Sequence, residues 1–216
     1  MAHLNRILTY CLQKSALGAT LLLALMAAPT APSYAAGDAG IPERVLGQAD
    51  APVTVQEFVS LTCTHCADFY VNELPELKKR YVDTGKVKFI LRDFPLDGIG
   101  LKAASLARCM PEDEYYPFID VLYKNQKQWA FGDAPEKILV QYAKLGGLSE
   151  ERALACLNDN QMQDLIVAAR TDAQNKYDVS ATPTFVINND AANKLVGVAP
   201  IDGFAAQFDK LLAAKH

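Results

Sequence analysis

Between Val53 and Phe94 the hydrophobic period changes twice, and two cysteines stand at the first change. Val53 to Leu61 (VTVQEFVSL) alternates and is rich in β-branched side chains, the pattern of a buried strand. From Cys63 onward Tyr70, Leu74, Leu77 and Tyr81 recur at helical spacing, and Thr84-Gly85 ends the run. Pro75 lies inside that helix and is expected to kink it, because it has no N–H for the preceding turn. Lys86 to Phe94 (KVKFILRDF) returns to strand character. This order predicts a βαβ unit, right-handed by the twist of its strands.

No strand pattern follows until Thr184. Ile99, Ala103, Leu106 and Met110 share one helical face. Phe118, Leu122 and Trp129 mark a second helix, with Ile119, Tyr123 and Gln126 beside them. Asp133-Ala134-Pro135-Glu136 resembles a capping box and leads into Ile138, Tyr142 and Leu145, stopped by Gly146-Gly147. Ser149 caps a short helix through Leu157, and Met162, Leu165, Ile166, Ala169 and Ala173 define another. Strands return at Thr184–Asn188 and Lys194–Val198, joined by an Asn/Asp-rich turn that favours a hairpin. Ile201, Phe204, Phe208 and Leu211 form a closing helix. The fold class that satisfies this order is α/β: a thioredoxin fold with an inserted all-helical subdomain packed over one side of its sheet. Residues 37–95 and 179–216 are expected to form the sheet-bearing domain, and residues 96–178 the insert.

Residues 1–36 contain no Asp or Glu. Arg6 and Lys14 precede an apolar run from Ser15 to Ala28, and small residues follow Pro29 as far as Ala36. That is the layout of a secretory signal peptide, with cleavage expected after Ala35 or Ala36. The run would reach only about 21 Å as a helix, short of the ~30 Å hydrocarbon core, so a membrane anchor fits less well. Without this segment the chain carries 19 basic and 25 acidic residues, a net charge of −6. No basic field is left to neutralise phosphates, so nucleic acid is not an expected partner. Export has a further consequence: cysteines outside the cytosol can remain oxidised.

Cys63-Thr64-His65-Cys66 lies where the first strand hands over to the first helix. Unpaired N–H groups and partial positive charge at a helix start stabilise a thiolate there. His65, between the sulfurs, can add positive character or a hydrogen bond. A thiolate of low pKa is a good leaving group, so a Cys63–Cys66 disulfide would be oxidising toward other thiols. The competing readings are half a zinc site and an inert bridge. Zinc needs a second ligand pair, and beyond residue 36 the histidines are only His65 and His216. No metal is therefore expected. C-x-x-C beside a βαβ pattern favours redox chemistry.

Three further features bear on this centre. Thr182-Pro183 precedes the third strand; a trans proline opening a strand is the commoner arrangement, but in a thioredoxin-type fold a proline there is expected to be cis and to sit against the sulfurs. The neighbouring backbone would then be free to pair with an extended substrate. Glu57 shares a strand face with Val53, Val55 and Val59, six residues before Cys63. If buried there, its carboxyl would have a raised pKa and could pass protons to and from Cys66; at an edge or bulge it would face water. Cys109 and Cys156 fall in the helical stretch. Four cysteines after residue 36 allow three pairings, and these two are either a second bridge or free thiols.

VTVQEFVSLTCTHC, LPELKKRYVDTGKVKFILRDFPLD, ATPTFVIN and LVGVAP together resemble the DsbA-like exported thiol-disulfide oxidoreductases, from about Val45 to the C-terminus. The resemblance implies a thioredoxin fold with a helical insert, acting as an oxidant of secreted proteins. It makes Cys63 the exposed nucleophile, Cys66 the resolving cysteine, Thr182-Pro183 the cis-proline loop and Glu57 the buried acid. The best-known members have proline where this chain has Thr64, and valine where it has Thr182; both positions touch the active sulfurs. The Cys109/Cys156 pair is similar to a branch in which an extra structural disulfide braces the helical domain.

The expected function is a periplasmic dithiol oxidase. Its partners would be unfolded or reduced secreted proteins and a DsbB-type membrane quinone reductase, and it would act as a monomer. No bound cofactor is implied, since the sulfurs carry the electrons. A reductase or isomerase kept reduced by a membrane partner is the alternative. Only about 16 residues separate the expected cut from Val53, too few for the added N-terminal domain through which isomerases of this fold generally dimerise. A non-catalytic binding module with a structural disulfide is a third reading.

Overall fold

The structure is a computed structural model and describes residues 40–214. The expected signal peptide, residues 1–36, lies outside the described residues, as does His216. Strands β1 (Val45–Leu46), β2 (Val53–Val59), β3 (Val87–Asp93), β4 (Thr184–Ile187) and β5 (Lys194–Val196) form one mixed sheet in the order β1-β3-β2-β4-β5. Only β2 and β3 run parallel, with Glu57 level with Leu91; β1, β4 and β5 pair antiparallel to their neighbours. Four of these strands coincide with the predicted ones, each slightly shorter. β1 has no counterpart in the sequence reading, because two residues are too few to establish a period.

The chain between β2 and β3 departs from one kinked helix. Helix α1 (Thr64–Asp68) widens into a π-helical turn at Phe69–Glu73, narrows into α2 (Leu74–Leu77), and widens again at Lys78–Val82. Pro75 is the physical reason for the first widening. It cannot donate to Val71, and its ring presses on that carbonyl, so Leu74 N–H bonds instead to Phe69 O, five residues back.

Helices α3 (Gly98–Arg108), α4 (Glu112–Lys124), α5 (Gln126–Trp129), α6 (Pro135–Leu145), α7 (Glu150–Leu157) and α8 (Asn160–Tyr177) fill the interval before β4, and α9 (Ile201–Ala213) closes the fold. Ser149 caps α7 by accepting the Arg152 N–H at 3.1 Å, as its sequence position predicts. The capping box at Asp133 does not form. Ala134 is the cap residue of α6 and Pro135 its first helical position, where a missing N–H costs nothing. The single helix expected from Phe118 to Trp129 is also broken. Asn125 turns its amide onto Val121 O at 2.8 Å and leaves helical geometry (φ −111°, ψ 19°), so α5 starts on a new course at Gln126.

Every residue of β2 except Thr54 is buried, and its two faces meet different partners. Val53, Val55 and Val59 join the main core with Phe69, Leu77, Phe185, Phe204 and Phe208. On the opposite face Phe58 and Val186 pack with Phe94 and with Ala173 and Tyr177 of α8. Helices α3, α4, α6 and α7 extend the main core through Leu106, Ile119, Leu139 and Leu157. The helices between β3 and β4 therefore reach the sheet through α8 and continue into the core beside it, beyond the single-sided cover expected.

Candidate active site

Ser60 to Cys63 make a turn at the C-terminal end of β2, closed by Cys63 N–H donating to Ser60 O at 3.1 Å. Cys63 then stands at the N-cap of α1 with extended backbone (φ −76°, ψ 120°) and no side-chain cap. The first N–H groups of the helix are thus left to its sulfur. Cys63, expected to be exposed, is only 9% exposed because it packs against Thr182 and the start of α1; Cys66 is wholly buried, and both are free thiols. Thr64 and His65 lie exposed between them.

The two sulfurs sit in opposite surroundings. The Cys66 thiol donates to the Cys63 sulfur, and this bond, with help from Thr182 and from the backbone N–H groups of Cys66 and His65, outweighs burial to bring Cys63 down to about 5. Burial pushes the Cys66 thiol far up, and the neighbouring Cys63 charge pushes it further. His65 supplies backbone N–H, while its ring stays at the surface rather than between the sulfurs.

The Thr182–Pro183 peptide is cis, and Cys63 Sγ lies 3.4 Å from Thr182 O, a contact in which only the protonated thiol donates. Thr182 Oγ1 is buried and makes no hydrogen bond of ordinary geometry, yet it lies close enough to both sulfurs to favour their charged forms. Pro183 O is already engaged by Gly197 N–H at 2.8 Å.

Glu57 is 3% exposed and its Oε1 has no partner. Burial alone raises its carboxyl to about 8. Tyr70 and Tyr123, both within reach of its charge, pack with ring centroids 4.8 Å apart and planes tilted by 36°. Burial raises Tyr123 well above the usual phenol range, and charge on Cys66 or Glu57 would raise it further. Cys109 and Cys156 are joined to each other, bridging the C-terminal ends of α3 and α7. Among the described residues no three of His, Cys, Asp or Glu are grouped as a metal site would require.

Two neighbours of the turn escape sequence reasoning. Gln126 Nε2 donates to Leu61 O at 2.8 Å and to Cys63 O at 2.9 Å. The Thr62 hydroxyl donates to Asp97 Oδ2 at 2.6 Å, while Asp97 Oδ1 caps α3 through Gly100 N–H. A Cβ on Gly100 would lie 3.0 Å from Thr62 Oγ1 and 3.2 Å from Ser60 Oγ, so the absent side chain lets α3 start against the turn. Helical spacing places Gln126 merely beside an apolar face, and nothing local links either residue to Cys63.

The thioredoxin family model matches residues 40–204. The crystal structure of Wolbachia pipientis alpha-DsbA1 superposes with a TM-score of 0.74 at 34% identity, covering 80% of this chain and 92% of that one. BdbD from Bacillus subtilis superposes with a TM-score of 0.70 at 25% identity, covering 79% and 93%. Disulfide bond formation protein D of Bacillus subtilis is 29% identical over 149 residues, 67% of each protein. A Rickettsia felis relative is 32% identical over 171 residues, 79% of this chain; the match spans 60% of that relative's length.

Proposed function

The chain belongs to the DsbA-like branch of the thioredoxin family, with that family's fold and a helical insert, and we propose that it exchanges disulfides with protein thiols, in the direction of oxidising them. The feature that carries this reading is the contrast between two cysteines of one helical turn: Cys63, at the N-cap of α1, is brought down to about 5, while burial pushes the Cys66 thiol far up. Such a pair is stable reduced and reactive oxidised.

A substrate thiolate attacks Sγ of Cys63 in the Cys63–Cys66 disulfide. The new bond joins substrate sulfur to Cys63, and the bond to Cys66 breaks. Cys66 leaves as an anion that its surroundings do not support, and it takes a proton from Glu57, which is largely protonated at neutral pH. A second substrate thiolate then attacks the substrate sulfur of the mixed disulfide, and Cys63 leaves as a thiolate. The substrate has lost two electrons, and the enzyme holds them as a dithiol. Thr182, beside the sulfur, and Pro183 after it form the edge that an extended substrate meets.

The remaining parts of the reading rest on the sequence pattern and on the family resemblance. Residues 1–36 direct export and are removed, 37–95 and 179–216 form the thioredoxin fold, and 96–178 form its insert. The mature protein works as a monomer in the periplasm on reduced secreted proteins, and a DsbB-type membrane quinone reductase reoxidises it. Among the described residues no helix is long and apolar enough to cross a membrane.

Equilibration of the full chain with glutathione buffers tests the direction. A potential well above the ~−270 mV of thioredoxin supports oxidation, and one near it supports a reductase instead. Cys63→Ser should abolish exchange, and Cys66→Ser should trap mixed disulfides. Normal turnover by Cys63→Ser would remove the assigned nucleophile, and a Cys63 that alkylates only above pH 8 would mark an inert bridge.

A further inference from the structure

Gln126 is 4% exposed, and its amide nitrogen spends both hydrogens on the turn that presents Cys63. The two acceptors, Leu61 O and Cys63 O, flank Thr62 and converge on this one nitrogen. Cys63 O also accepts the first helical bond of α1, from Ala67 N–H at 3.1 Å, and Cys63 N–H is held by Ser60 O. The backbone polar groups of Cys63 are thus fully engaged, and one of those bonds comes from the helices between β3 and β4.

Two buried carbonyl oxygens pointing at one place repel each other unless a donor lies between them. With the amide in place, the turn keeps Cys63 at the backbone angles that bring the N–H groups of His65 and Cys66 to its sulfur. Without it the carbonyls would part and seek water, and the start of α1 would swing away from the sulfur. Thr62 would remain tied to Asp97, so the turn would loosen at two carbonyls rather than come undone. The break at Asn125 is what aims Gln126 at the turn; in an unbroken helix the side chain would start from a different course.

We propose that Gln126 is a positioning residue for thiol exchange: a clamp, reaching from the helical insert to the catalytic turn, that holds the Cys63 sulfur against the start of α1. The clamp deepens the exchange reading and rests on Cys63 being its nucleophile.

Gln126→Met keeps the volume of the side chain and removes both hydrogen bonds. In the full chain it should move the midpoint of Cys63 alkylation upward by about one pH unit and lower the equilibrium constant for oxidising glutathione about tenfold. A role confined to packing would lower the melting temperature and leave both quantities in place. In the unsubstituted protein the Gln126 side-chain amide resonances should follow the Cys63 titration with the same midpoint, a measurement that needs no variant to fold. An acidic Cys63 whose midpoint Gln126→Met leaves unchanged, or amide resonances indifferent to the titration, would overturn the clamp and leave the exchange reading standing. An ordinary midpoint for Cys63 in the unsubstituted protein would overturn both.

Discussion

The Cys63 sulfur and the carbonyl oxygen of Thr182 are 3.4 Å apart across 119 positions of sequence. The Thr182 hydroxyl accompanies that carbonyl into the site without a hydrogen bond of ordinary geometry. Replacing it by a methyl in Thr182→Val removes a stabiliser of the thiolate together with a poorly satisfied buried hydroxyl. The two effects have opposite signs. Alkylation of Cys63 should shift to higher pH by less than one unit, while the melting temperature stays level or rises. A lower alkylation midpoint would show that the hydroxyl disfavours the anion.

Ionisation of Cys63 should stabilise the folded dithiol form, and pH should control by how much. The Cys63 pKa is depressed in the folded dithiol, from an ordinary 9 to about 5, and the disulfide has no such group. The stabilisation is therefore absent below pH 5, grows between pH 5 and 9, and is lost again as pH falls through 5. At pH 7 it amounts to about 2–3 kcal/mol. Raising pH from 4.5 to 7 should move the melting temperature of the reduced form upward relative to that of the disulfide form.

Glu57 works in the other direction. Its folded pKa is raised from 4.5 to about 8, so folding favours the proton, and stability falls as pH rises from 4.5 to 8. Glu57→Gln removes the titration. It should stabilise the protein at pH 7 by about 1–3 kcal/mol and gain little at pH 4.5. If Glu57 supplies the proton that Cys66 takes up, as proposed, the same variant should slow exchange. Denaturant melts at the two pH values, with stopped-flow exchange at pH 7, would show whether stability is spent there on catalysis.

Cys109→Ser opens a 47-residue loop between the ends of α3 and α7. Chain entropy alone sets a loss of about 4 kcal/mol. The Ser105 hydroxyl, donating to Cys156 O at 2.7 Å, still ties α3 to the end of α7, so the fold should survive with a lower melting temperature. Oxidation of a dithiol peptide at a temperature where the variant is folded should proceed at the unsubstituted rate. A comparable fall in exchange rate would mean that the bridge also sets the geometry of the catalytic turn.

Much of this centre was legible along the chain because its signals are local. The alternation at Val53–Val59 and the C-x-x-C that follows place two sulfurs at a strand-to-helix junction, and the same alternation puts Glu57 among buried valines. The hairpin turn was equally local: Asn188 and Asn189 take positive φ, as residue types suited to that conformation. Where reading failed, a competing local contact decided. Asn125 ended a helix that its apolar spacing would have continued, and Pro75 turned a kink into a π-helical turn.

Residue type and spacing by themselves determined the C-x-x-C at a helix start and the strands that flank it, since each depends on neighbours within a few positions; that Glu57 is buried rather than at an edge came from the packing on both faces of β2. Only the tertiary structure decided what surrounds Cys63 and its turn: Thr182 from the approach to β4, Gln126 from α5 and Asp97 from the cap of α3. Hydrogen bonds act over about 3 Å whatever the sequence separation. The partners that set the sulfur's acidity could be read only once the chain had folded back on itself.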